Sequence, residues 1–227
     1  MFSSLESDSG SGSGSGSASG FDFFYDNGFY ELGLNIEEIE GINQHSAIFE
    51  TSLYDKSVAF YSRLFKLYQD SDKHMGIREF DRCLDAILRN PGTLDIKRLS
   101  TNTHQNIPFG IISVDYNGNF STFSPELIGQ PNTYYNNFIF GNVLNNAFFN
   151  LKSNRILKEL AGDINKGIKK CKKEREFFHL CGGGAPANKF FENGSFNSSE
   201  TNYCKYNVKI PTELVLNYLE EKLNISN

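Results

Sequence analysis

The chain has 227 residues, enough for one large domain or two small ones with a core that needs no disulfide or metal to hold it. Its net charge of −5 argues against general binding to DNA or RNA by phosphate neutralisation. No apolar run approaches the roughly 20 residues of a membrane span, and the N-terminus lacks the features of a secretion signal. We therefore expect a cytoplasmic protein whose four cysteines are thiols or metal ligands.

The N-terminal segment is low in complexity. Residues 9–20 read SGSGSGSGSASG and offer no side chain to bury. This composition is typical of a flexible linker or an expression tag, which we assign to residues 1–20. The folded part is expected to begin at Phe21, and so abrupt a start indicates a piece of a longer protein.

The first folded segment is predicted to contain a strand and two helices. Leu32, Leu34 and Ile36 alternate with polar residues and glycine, which favours a strand. Apolar residues at helical spacing predict helices over roughly 53–68 and 77–88, the second of which ends at the RNPG stretch, residues 89–92. Cys83 adjoins the apolar face of that helix and is expected to be buried without a function.

A β-hairpin is predicted next. The runs FGIISVD and FSTFS, residues 109–115 and 120–124, flank Asn117 and Gly118. An Asn-Gly pair between two such runs favours a two-residue turn of type I′.

Helices dominate the rest of the predicted secondary structure. A helical region is expected from about residue 144 to 160, ended by Gly162, with a short second helix before Cys171. Pro211 is in a favourable first helical position and predicts a closing amphipathic helix. The basic run at residues 166–176 is interpreted as a solvated helix end rather than a nucleic-acid patch. The order of elements indicates an α+β fold.

The remaining cysteines surround a glycine-rich loop. Cys171, Cys181 and Cys204 do not have the spacing of a CxxC zinc ribbon, so the pattern alone leaves a metal site and a structural turn open. The glycines at residues 182–184 would permit close backbone approach and expose N–H groups that stabilise thiolates. Cys171 and His179 form a weaker candidate pair for zinc.

Four stretches of this sequence together resemble the C-terminal half of radical SAM/SPASM peptide maturases, and most closely the Grr (glycine-rich-repeat) type. These enzymes act on ribosomal precursor peptides and form cyclophane crosslinks. The resemblance extends from Phe21 to about Leu223, and its most specific part is the last stretch. The stretches are FFYDNGFYELGLNIEEIEGIN, SVDYNGNFSTFSPELIG, FIFGNV and CGGGAPANKFFENGSFNSSETNYCKY.

The resemblance implies a fold and a division of the chain. Residues 21–92 would be the end of a partial radical SAM α/β barrel with a helical pair, and residues 93–227 a SPASM-like domain with a hairpin and helices. The segment Phe29 to Glu38 resembles a late barrel strand whose C-terminal end looks into the cofactor cavity. Its residues facing S-adenosylmethionine or substrate would be Leu34, Asn35, Ile36, Glu37 and Glu38.

The resemblance also implies cofactors. Cys171, Cys181 and Cys204 would bind an auxiliary 4Fe–4S cluster, with an incomplete ligand set. Phe123 and Arg175 occupy places where related sequences often have cysteine. The CxxxCxxC motif of the radical-generating cluster is absent from the sequence, so S-adenosylmethionine and that cluster are expected only in a full-length enzyme.

Three functions follow from these observations. The first is the C-terminal part of a peptide maturase that binds a glycine-rich precursor peptide, is catalytically incomplete alone, and has the missing N-terminal half as a partner. The second is a non-catalytic peptide-binding or scaffold module. The third is a small zinc-binding interaction domain. No nucleic-acid or membrane partner is expected.

Overall fold

A computed structural model describes residues 16–41, 43, 45–88, 104–145, 151 and 153–223, with side chains from residue 20 onward. The described residues are 59% helical and 8% strand, a mixed helix and sheet composition. The longer helices and the strands, in chain order, are α1 Gly16–Asp26, β1 Glu31–Leu32, α2 Leu53–Asp70, β2 Gly76–Ile77, α3 Arg78–Leu88, β3 Ile112–Val114, β4 Asn119–Thr122, β5 Gly141–Asn142, α4 Arg155–Glu174, α5 Phe178–Cys181, α6 Pro186–Asn193, α7 Asn202–Cys204 and α8 Ile210–Leu223.

The first hydrophobic core is built by helices from both ends of the chain. Phe80 of α3 and Val215 of α8 are fully buried in it, together with Tyr61 of α2. At its centre the rings of Phe65 and Phe80 pack edge to face, with their centroids 4.7 Å apart. The C-terminal helix therefore belongs to the same core as the N-terminal helices. The predicted domain boundary between residues 92 and 93 lies outside the described residues.

The second core lies under the small sheet and α4. β4 pairs antiparallel with both β3 and β5. Its buried residues are Phe120, Phe123, Leu127, Tyr135, Phe138, Phe140, Leu151, Leu157, Leu160, Ile164, Ala187 and Phe196.

The predicted first strand is shorter than its apolar alternation indicates. Only β1 pairs, in parallel with β2, through Glu31 opposite Gly76 and Leu32 opposite Ile77. Beyond it, side chains of α3 take the place of a strand partner. The Leu34 amide donates to the Glu79 carboxylate at 3.1 Å, and its carbonyl accepts from Arg78 at 2.7 Å.

The hairpin is confirmed, but the predicted turn type is wrong. A type I′ turn needs positive φ at both central residues, and here only Gly118 has it, at +81°. The Asp115 carboxylate explains the difference, since it accepts from the backbone amides of Asn117 at 2.8 Å and Asn119 at 2.9 Å. These bonds stabilise a longer loop closed by the Asp115 amide and the Asn119 carbonyl.

The predicted break at Gly162 is also wrong. Helix α4 begins after an Asn154 cap, whose side chain accepts from the Leu157 amide at 3.0 Å, and runs without interruption to Glu174. Its buried face overrides the low helix propensity of glycine. That face is formed by Leu157, Leu160, Ile164, Gly167 and Cys171. The start predicted near residue 144 is a short 3₁₀ turn, Val143–Asn145, and residues 146–150 lie outside the described part.

The closing helix begins before Pro211. The helical run starts at α7, passes through a π-helical segment, Lys205–Lys209, and continues as α8. Proline lacks an amide hydrogen and clashes with the carbonyl one turn earlier, and the wider π turn immediately before it accommodates both effects. The prediction of Pro211 as the first helical residue is therefore corrected to Asn202.

The N-terminus differs from its prediction as well. α1 begins at Gly16, inside the segment assigned to a linker, while residues 1–15 lie outside the described part. Phe21 is buried at 5% exposure and is the first member of the first core. Lys73 holds the helix in place through ion pairs of 2.9 Å with Asp22 and Asp26.

Candidate functional site: a cysteine-lined cavity

A cavity of about 390 Å³ lies where the two cores meet. Its walls come from the end of α4, the loop between α5 and α6, the first turn of α6, the π-helical segment and the extended segment after β1. Cys171, Cys181 and Cys204 all line it, so the three cysteines singled out in the sequence are brought together.

Cys171 is held on the buried face of α4. Its Sγ atom lies 3.4 Å from the carbonyl oxygen of Ser199 and 3.8 Å from that of Gly183. The helix can approach this region because Gly167 has no side chain. A Cβ at that position would overlap the carbonyl oxygen of Phe196.

Cys181 ends α5 and is followed by three left-handed glycines. Gly182, Gly183 and Gly184 have φ values of +60°, +101° and +72°, a region that only glycine adopts without strain. This turn brings the Gly183 amide to the Cys181 sulfur. Burial raises the pKa of the Cys181 thiol, and the hydrogen bond from Gly183 opposes that rise by stabilising the thiolate.

Cys204 is positioned by a well-capped helix start. The Thr201 hydroxyl accepts from the Cys204 amide at 3.1 Å, and the Glu192 carboxylate accepts from the amides of Asn202 and Tyr203. Burial, with the nearby Cys181 and Glu200, raises the pKa of the Cys204 thiol to about 12. Cys181 and Cys204 line the same cavity.

Glu38 reaches the same cavity from the extended segment. The side-chain amide of Asn188 donates to its carboxylate at 2.7 Å. Burial, reinforced by Glu40, Glu126 and Glu192, nevertheless raises the pKa of Glu38 to about 7. The carboxyl group therefore exchanges a proton near neutral pH.

The other four residues predicted to face a cofactor or substrate lie elsewhere. Leu34 and Ile36 pack against the first core, and Asn35 accepts a 3.2 Å hydrogen bond from Arg78. Glu37 accepts from the Ser46 hydroxyl at 2.9 Å, outside the cysteine cavity. Neighbouring residues of an extended segment point in opposite directions, which separates Glu38 from Glu37.

Phe123 and Arg175 stand where related sequences often have cysteine, and the structure places them in different parts of the molecule. Phe123 is fully buried in the second core and does not line the cavity. Arg175 does line it, directly after the end of α4, and pairs with Glu200 at 3.0 Å. Its Nε atom is buried without a hydrogen-bond partner.

The candidate metal ligands named from the sequence do not all lie together. His179, the alternative zinc ligand, is exposed and lies outside the cavity wall. Within the described ranges no three His, Cys, Asp or Glu side chains converge as ligands of one metal ion.

Sequence reasoning missed two polar residues of the cavity. Asn188 and Lys189 are buried, at 6% and 4% exposure, and both lie in the first turns of α6. Their position within the glycine-rich stretch was the available signal. A polar pair inside an otherwise small and apolar helix start, APANKFF, indicates a buried polar role.

Comparison with known proteins finds one relative with a long match. An uncharacterized protein of Synechocystis sp. is 39% identical over 206 residues, which cover 91% of this chain and 50% of that protein. The chain thus spans about half the length of the curated relative it matches. No protein-family model and no solved structure matches the chain. Of the helices that the structure describes, none is long and apolar enough to cross a membrane.

Proposed function

We propose that this chain is the C-terminal part of a radical SAM/SPASM peptide maturase and binds a glycine-rich ribosomal precursor peptide. The observation that carries the proposal is the meeting of Cys171, Cys181 and Cys204, from three separate helices, at one cavity. The sequence resemblance assigns the same three residues to an auxiliary 4Fe–4S cluster.

A cluster in this cavity would have three cysteines available as protein ligands. Iron–sulfur clusters are bound by cysteine thiolates, and hydrogen bonds to the sulfurs stabilise them. The Gly183 amide supplies such a bond to Cys181. Cys171, Cys181 and Cys204 would hold the group, which when bound supplies electron transfer or a coordination position at an iron without a protein ligand.

The cavity wall also suits a peptide with small side chains. Three of its lining residues, Gly184, Ala185 and Ala187, have little or no side chain. Glu38 and Asn188 offer a hydrogen-bond acceptor and a donor to peptide groups. Radical chemistry on the peptide would require an N-terminal half with the CxxxCxxC motif as partner. The proposal places the protein in the cytoplasm, where its four free thiols would stay reduced.

Metal analysis tests the cluster. After anaerobic reconstitution with iron and sulfide, the wild-type protein should retain both, and Cys181→Ser should lose most of them. Cys83→Ser is the matched control, because Cys83 is buried in the first core against Thr212 and does not line the cavity. Binding of zinc alone, or an unchanged iron content in Cys181→Ser, would contradict the cluster.

Peptide titration tests the second part of the proposal. The chain alone should bind a glycine-rich precursor peptide, measured by calorimetry, and should not cleave S-adenosylmethionine. Failure to bind the peptide at high concentration would contradict the binding role. Formation of deoxyadenosine would show instead that the chain is catalytically complete.

A further inference from the structure

Lys189 is a buried cation in the wall of the cysteine cavity. Its side chain lies in α6, is 4% exposed, and borders the cavity. In the part of the chain that the structure describes, its ammonium group has no hydrogen-bond or ion-pair partner and is not fully enclosed, so it faces the space of the cavity. Burying an ammonium ion is costly unless a counter-charge accompanies it. The residue therefore points to an anion that enters the cavity from outside the chain.

The other cations of the cavity already have partners. Arg82 donates to the carbonyl oxygen of Leu180 at 2.8 Å. Arg175 and Lys209 both face the Glu200 carboxylate, at 3.0 and 3.8 Å. Lys189 differs from all three in having no acceptor among the described residues.

The start of α6 provides a second, independent feature at the same wall. Pro186 occupies the first turn, and Ala185 at the N-cap has no side chain that can accept from the first amides. Ala185 and Ala187 border the cavity. Uncapped amides and the positive end of the helix dipole favour an anionic group at this position.

We infer that the cavity binds a carboxylate group through the Lys189 ammonium and the first amides of α6. The inference rests on the proposed function, because it takes the carboxylate to be part of a bound peptide, either its C-terminus or an acidic side chain. A carboxylate is favoured over a phosphate because the five glutamates that border the same cavity repel a dianion more strongly than a monoanion: Glu38, Glu40, Glu126, Glu174 and Glu176.

The test compares short probes that differ in one charge. N-acetyl-triglycine carries a C-terminal carboxylate, N-acetyl-triglycine amide carries none, and N-acetyl-Gly-Asp-Gly amide carries one on a side chain. Calorimetry on the whole purified chain should show that the carboxylate probe binds at least about tenfold more tightly than its amide, as expected for a charge-assisted hydrogen bond. The third probe separates a terminal from a side-chain carboxylate.

Three variants assign the effect to Lys189. Lys189→Met should lose the preference for the carboxylate, while Lys189→Arg should keep it within a few fold. Lys172→Met removes an exposed charge of the same sign at the end of α4 and should change nothing. The thermal midpoint of Lys189→Met should equal or exceed that of the wild type, because methionine keeps most of the buried side chain and removes a cation that has no partner in the chain.

Two results would overturn the inference: equal affinity for the carboxylate and amide probes, or an intact preference in Lys189→Met. A lowered thermal midpoint together with an intact preference would assign Lys189 to structure alone. The proposed function fails separately. If the long glycine-rich peptide does not bind but the short carboxylate does so through Lys189, only the peptide role is lost. If the long peptide binds equally as acid and amide, only the inference is lost.

Discussion

The side-chain amide of Asn188 donates a 2.7 Å hydrogen bond to the carboxylate of Glu38, across 150 positions of the chain. The bond joins the extended segment beside the first core to helix α6 beside the second. It stabilises the charged form of Glu38, whereas burial stabilises the neutral form, and burial is the larger effect. Protonation of Glu38 therefore acts on a hydrogen bond that joins these two parts of the chain.

Glu38 should make the stability of the protein fall as pH rises. Its pKa is raised from 4.5 to about 7 in the folded state, so between these values the folded protein keeps a proton that the unfolded chain has lost. The contribution of Glu38 to the free energy of unfolding is fully present below pH 4.5 and is lost as the pH rises through 7. The loss amounts to about 2 kcal/mol once the partial exposure of the side chain is taken into account. Urea unfolding at pH 5 and pH 8 should show this loss.

Two variants separate Glu38 from other titrating groups. Glu38→Gln should lack this part of the pH dependence, since it has no proton to lose. Asn188→Ala removes the bond that lowers the pKa and should extend the decline to higher pH. A decline of the same size in wild type and Glu38→Gln would show that other groups cause it.

The two glycines of α4 should respond in opposite ways to alanine. Gly167→Ala places a Cβ against the Phe196 carbonyl oxygen, and neither backbone can yield cheaply, so a loss of about 2 kcal/mol is expected. Gly162→Ala meets nothing within 4 Å and should stabilise the helix by about 0.5–1 kcal/mol. Urea unfolding measures both, and losses of equal size would contradict the close approach at Gly167.

This contrast shows why helix α4 could be predicted only in part. Local propensity treats both glycines as weak points and predicts a break at Gly162. The apolar spacing of Leu157, Leu160 and Ile164 continues past it, and the packing of that face decides the outcome. The contact at Gly167 involves a carbonyl group many residues later in the chain, which periodicity cannot indicate.

The cavity, too, could be predicted where its residues are close in sequence and not where they are far apart. The glycine-rich loop and its cysteines could be recognised because they are contiguous in sequence. The return of α8 to the first core depends on contacts with α2 and α3 across most of the chain. Glu38 could be named as a site residue, and its separation from Glu37 follows from the alternation of an extended segment, but its bond to Asn188 joins residues 150 positions apart.

Cys204 should react slowly with alkylating reagents in the metal-free folded protein. Its pKa of about 12 leaves very little thiolate at pH 8, and only the thiolate reacts. Mass spectrometry after iodoacetamide treatment should show modification at least about tenfold slower than in the urea-unfolded chain. Glu200→Gln should accelerate it, because the Glu200 charge contributes to the raised pKa. Equal rates in the folded and unfolded chains would contradict the burial of this thiol.

Arg175→Cys should increase the iron that the protein retains. Arg175 borders the cavity at the end of α4, so the substitution adds a fourth thiol to a wall that already has three. It also removes the partly exposed ion pair with Glu200, at a cost of about 1 kcal/mol or less, and Lys209 remains near that carboxylate. Iron and sulfide per chain after reconstitution, compared with wild type and Arg175→Ser, measure the effect.

Phe123→Cys provides the matched control for this gain, since the resemblance suggests a cysteine near both positions. Phe123 is fully buried in the second core, away from the cavity, so a thiol there cannot reach a group held by Cys171, Cys181 and Cys204. Truncating the ring should instead destabilise the protein by about 3 kcal/mol, as for other large-to-small core changes. Iron that rises in Phe123→Cys but not in Arg175→Cys would contradict the proposal that a cluster binds in this cavity.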